Sequence, residues 1–86
     1  MNKVIDVDFC VTWQLPVFVR IGNGMRERID GPDAALAALL HRWPSSRQSE
    51  YAIARRRCVD AVSKQGSPEL ARNAFVEAAV AARVLA

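Results

Sequence analysis

The sequence predicts an α+β fold: a small antiparallel sheet covered on one face by three helices. Three observations carry this reading. Residues 17–21 (VFVRI), rich in β-branched and aromatic side chains, are followed by Gly22-Asn23-Gly24 and then by residues 25–30 (MRERID), which is a hairpin signature. Behind Pro32, the residues Leu36, Leu39, Leu40 and Trp43 recur at i, i+3, i+4 and i+7, one apolar stripe of a helix. Ser67-Pro68-Glu69 then combines a cap, a first-turn proline and an acid at the positive end of the helix dipole, ahead of an alanine-rich run. The chain is 86 residues long, the size of a single small domain, and the reading places one domain over 1–86.

Each element can be justified in order. Ile5, Val7, Phe9, Val11 and Trp13 alternate with Asp6, Asp8, Cys10 and Thr12, which makes 5–13 a candidate third strand ended by Pro16. In the hairpin, a two-residue Asn23-Gly24 turn would pair Ile21 with Arg26 and mix apolar with charged groups on one face. A three-residue loop with Gly24 left-handed pairs Ile21 with Met25 and Val17 with Ile29 instead. A one-residue slip flips every side chain, so the buried-face pattern favours the longer loop. Phe18, Arg20, Arg26 and Arg28 then share the outer face.

The first helix is predicted over about 32–43, capped by Gly31 or Asp30 and stopped by Pro44. The second is predicted over about 46–65. A serine cap with Gln48 would form a capping box at its start, and Gly66 would be left-handed at its end. Its inner face is read as Tyr51, Ala54, Cys58, Ala61 and Val62, with Arg55, Arg56 and Arg57 splayed around the helix. The third is predicted over about 68–84. Leu36, Leu39, Trp43, Tyr51, Ala54, Phe75 and Ala78 are the expected core, with Trp13 as a further large candidate.

Composition limits the function. Half the residues are apolar and 24% charged, which is globular rather than disordered, and the net charge of +3 is mild. Cys10 and Cys58 stand far apart beside a single histidine, His41, too few ligands for a metal site, and no cofactor motif is present. Asp6 and Asp8 interrupt the N-terminal apolar run, which argues against a signal peptide or a membrane span. The expectation is a reduced, cytoplasmic protein.

Several positions carry a resemblance. Pro16-Val17, then Ile29 with Pro32, Ala35-Leu36, Leu39 and Trp43-Pro44 lead into Tyr51, Ala54, Cys58 and Ala61, and these into Ala71-Arg72, Ala74-Phe75 and Ala78-Ala79. Over about residues 13 to 85 this pattern resembles the bacterial domain-of-unknown-function family numbered 982, small alphaproteobacterial α+β proteins. The resemblance implies the fold and brings no activity. Members of that family often end with an Ala-Gly pair where this chain has Ala82-Arg83.

No active site assembles from the sequence. His41 falls on the solvent side of the first helix, with no carboxylate three or four residues away to orient it. Cys58 falls on a core face, and Gly22-Asn23-Gly24 joins two strands rather than opening a helix as a phosphate loop does. The expectation is therefore not an enzyme but a protein-interaction module that self-associates, most simply as a homodimer. Its expected seam is a second apolar stripe on the third helix, Val76, Val80 and Val84, bordered by Arg72 and Arg83. The alternative is a weak nucleic-acid-binding module that uses the basic face of Phe18, Arg20, Arg26 and Arg28.

Overall fold

The computed structural model describes residues 12–44 and 47–86; the candidate strand over 5–13 lies almost wholly outside them. Strands β1 (Val17–Val19) and β2 (Glu27–Ile29) form an antiparallel pair, followed by helices α1 (Pro32–His41), α2 (Ser49–Val62) and α3 (Pro68–Ala81). Val17 stands opposite Ile29, the register expected from the buried-face pattern. The left-handed residue of the loop is Gly22, with φ +70°, and not Gly24. The turn therefore enters its left-handed conformation at the first glycine, and the strands stay in register.

α1 starts as its sequence implies, with Gly31 extended before Pro32. Its buried side is rotated from the expected stripe. Ala35, Ala38 and Leu39 are buried and Leu36 partly so, while Leu40 is 47% exposed. The small alanines let α1 approach its neighbours closely, so the face that packs is the one with least bulk.

α2 is shorter than predicted at both ends. Gln48 occupies the cap position but makes no cap bond with its side chain; its Nε2 instead donates to the Ala81 carbonyl at 3.0 Å, at the end of α3. Ser45 and Ser46, the expected caps, lie outside the described residues. The helix closes with Lys64 N–H donating to Ala61 and Gln65 N–H to Asp60, the paired bonds of a Schellman ending. Lys64 is the left-handed residue at φ +65°, in place of Gly66. Gly66 answers a different need, because a Cβ there would sit 2.8 Å from that of Asp60. Ala54, Cys58 and Ala61 line the buried side as expected, but Val62 is exposed.

α3 begins as its sequence requires. The Ser67 hydroxyl accepts from the Glu69 and Leu70 amides at 3.1 and 3.2 Å. Its end departs from expectation: the helix stops at Ala81, and Arg83 turns left-handed at φ +62°. Arg83 N–H donates to Val80 and Val84 N–H to Ala79, a second Schellman ending. The last residues then run antiparallel to β1. Arg20 N–H donates to Val84 at 2.7 Å, Ala86 N–H to Phe18 at 2.9 Å, and Val19 bridges Leu85. The C-terminal tail thus flanks β1 on the edge opposite β2.

Phe75, fully buried, sits at the centre of the core between Trp13 and Trp43, whose ring centroids lie 6.0 and 5.4 Å away. Such tilted ring pairs add favourable contact beyond burial alone. Trp13 Nε1 donates to the Pro68 carbonyl and the Tyr51 hydroxyl to the Leu39 carbonyl, both at 2.9 Å, so each ring keeps its polar atom satisfied while tying two elements together. Val17, Val19 and Ile29 close the core from the sheet side, and Ala54, Ala61, Ala71 and Ala78 let α2 and α3 pack closely.

Candidate interaction surfaces

Because Val17, Val19 and Ile29 point inward, Phe18 and its partner Arg28 point outward. The Arg26 guanidinium stacks over the Phe18 ring, 4.4 Å from its centroid. Arg28 Nε donates to Asp30 at 2.6 Å. Arg20 is exposed and carries no ion pair among the described residues. The outer face therefore does hold Phe18, Arg20, Arg26 and Arg28, but Arg28 is neutralised locally and Arg26 already occupies the ring. Glu27 faces the other way, into a bidentate pair with Arg42 just past α1, at 2.8 and 2.7 Å. Hydrogen bonding to Arg42 holds the Glu27 carboxyl below its ordinary range and raises the Arg42 guanidinium.

The expected valine seam is not continuous. Val84 lies beyond the helix and is only 6% exposed, packed in the core behind β1, so it cannot line an outer face. Val76 is partly buried against the core, and Arg72 donates from Nε to the Leu15 carbonyl at 2.7 Å, which ties this flank to the connection before β1. Arg83 is exposed at the left-handed turn. Only Val80, at 58%, presents a broad apolar surface.

Val80 has neighbours that no single-helix pattern reveals. It shares a shallow depression with Ala81 and Glu77 and with Glu50 from the start of α2. Farther along α2 a second depression is lined by Ala52, Ile53, Arg56, Arg57 and Asp60, with Arg56 and Asp60 3.8 Å apart. Arg56 and Arg57 thus share one surface, whereas Arg55 stands on the other side of Arg56, beside Tyr51 and Val59. The one hint in the sequence was Ile53, an isoleucine off the Ala54, Cys58, Ala61 stripe.

The two described candidates for nucleophilic or acid–base chemistry, His41 and Cys58, lie in different environments. His41 is exposed. Cys58 is fully buried, and burial pushes its thiol up to about 12. Cys10 lies outside the described residues. No described helix is long and apolar enough to cross a membrane.

Comparison with known proteins agrees with the fold. No curated protein matches the chain. An NMR structure of an Agrobacterium tumefaciens protein is similar, with a TM-score of 0.73 and 32% sequence identity, over 88% of this chain and 76% of the other. The model of a family described as "Protein of unknown function (DUF982)" matches residues 15–86, which take in every element from β1 to the C-terminal tail. This chain therefore belongs to the DUF982 family.

Proposed function

We propose that the protein is a non-catalytic interaction module that associates with a second copy of itself through the side of α3 that carries Val80. The observation behind this reading is the 58% exposure of Val80 on α3. An apolar side chain left in water on a small domain gains by being covered. A reducing, cytoplasmic setting suits the two thiols. Sedimentation velocity across a concentration series tests the reading: a dimer should form at high concentration, and Val80→Glu should shift it to a folded monomer. Wild-type protein that stays monomeric throughout would end it.

A second reading, weak nucleic-acid binding through Phe18, Arg20, Arg26 and Arg28, is favoured by the arginine–aromatic stack on the open sheet face. The Arg28–Asp30 pair weighs against it. A salt-dependent mobility shift with generic DNA and RNA tests it, and Arg20→Ala with Arg26→Ala should remove any binding seen.

A further inference from the structure

We propose that the second copy docks antiparallel across α2 and α3, with Ile53 at the two-fold axis and Glu50 and Glu77 of each chain facing Arg56 and Arg57 of the other. This inference rests on the self-association reading and names its surface and register.

Three observations support it. Glu50, Ile53 and Arg57 fall at i, i+3 and i+7, one stripe of α2, with the acid and the arginine about 10 Å apart along the axis. Glu50 shares its depression with Glu77 and Val80 of α3, so two carboxylates crowd one end of the α2–α3 surface. Neither forms an ion pair among the described residues. At the other end stand Arg57, likewise without an ion pair there, and Arg56, whose contact to Asp60 is long at 3.8 Å and 81% exposed on the arginine side.

The surface is therefore negative at one end, net positive at the other, where Arg56 and Arg57 stand beside Asp60, and apolar at Ile53 between them. A two-fold rotation perpendicular to the helices exchanges the ends. It brings each chain's acids onto its partner's arginines and Ile53 onto its own copy, the self-complementarity an isologous contact requires. Arginine and carboxylate meet there with charge-assisted, bidentate geometry available. A parallel arrangement would set acids on acids, so the charge pattern selects the antiparallel one.

The test uses the full chain and two charge reversals, Glu50→Lys with Glu77→Lys, and Arg56→Glu with Arg57→Glu. Circular dichroism checks the fold and sedimentation velocity reads the association. Each variant alone should dimerise at least about tenfold more weakly than wild type. An equimolar mixture should recover dimers, because each end of one variant then meets the opposite charge on the other. Ile53→Asp should give a monomer whatever the charges.

If either reversal fails to fold, Glu50→Gln and Arg57→Gln carry the same test, with a smaller loss and a weaker salt dependence than wild type. A wild-type dimer left unchanged by both reversals would overturn this surface while leaving self-association standing. Weakened variants that do not recover on mixing would overturn the antiparallel register. A wild type monomeric at every concentration would overturn the self-association reading itself.

Discussion

The two ends of α3 are built by different physics. At its start, Ser67, Pro68 and Glu69 supply the cap, the fixed φ and the charge within three residues, and the Ser67 hydroxyl caps two amides. At its end nothing local calls for a stop. Ala81, Ala82, Arg83 and Leu85 all favour continuing the helix. The chain instead takes a left-handed residue that is not glycine, which costs about 1–2 kcal/mol, and lays its tail along β1. Two backbone hydrogen bonds, with Phe18 of β1 and with Arg20 just beyond it, and the burial of Val84 offset that cost. A helix start can thus be a local event while its end, fourteen residues on, answers to a strand far away in sequence.

The strongest way to break this contrast is to undock the tail. Val84→Asp would bury a carboxylate with no partner and should cost about 3 kcal/mol or more, a large share of what holds a domain of this size together. Cys58 offers the readout. Its thiol is buried and driven up to about 12, so it should resist alkylation in the wild type and label readily in the variant. Wild-type melting and labelling by Val84→Asp protein would mean that the tail contributes little.

Ser67→Ala addresses the local end. Loss of both cap bonds should cost about 1 kcal/mol, with recovery in Ser67→Asp. For a domain of this length that lowers the melting temperature by roughly 4–8 °C.

Arg83→Gly sharpens the contrast through its sign. If Arg83 were part of a continuing helix, glycine would destabilise by about 1 kcal/mol. In the left-handed conformation it should instead stabilise by several tenths of a kcal/mol and up to about 1. Thermal melts of the two proteins give the answer directly.

The smallest effect belongs to the Glu27–Arg42 pair, a contact between β2 and the end of α1. Both side chains are more than a third exposed, so a double-mutant cycle with Glu27→Gln and Arg42→Met should give about 0.2–1 kcal/mol, reduced by salt. Arg42 depresses the folded-state pKa of Glu27. The coupling is therefore full above the ordinary carboxylate range and is lost as pH falls through the depressed value. A coupling that persisted in strong acid would show that the pair does not act through charge.

Much of the fold was legible wherever one short stretch carried its own reason. The Val17–Ile29 register followed from alternation, the start of α1 from Gly31-Pro32, and the start of α3 from its cap. The errors lie where the deciding contact is remote. Gly66 reads as a helix terminator by residue type, yet the left-handed site is Lys64, and Gly66 is needed for its approach to Asp60. Leu40 fits the helical stripe, but packing favoured Ala35 and Ala38 because small side chains permit closer approach. The basic face was visible from the hairpin register, and Asp30 neutralises Arg28 on it. The meeting of Glu50 with Glu77 and Val80 could not be seen, since each helix shows only its own periodicity.

By itself, then, the sequence determined the element types, the strand register and two of the three helix starts, because caps, prolines and period-two alternation act over a few residues. Only the tertiary structure decided where α3 ends, that Val84 belongs to the core rather than to a seam, and which charged groups of α2 and α3 come together. These depend on contacts between segments dozens of residues apart. There, burial and backbone pairing outweigh local preferences worth less than about 1 kcal/mol per residue.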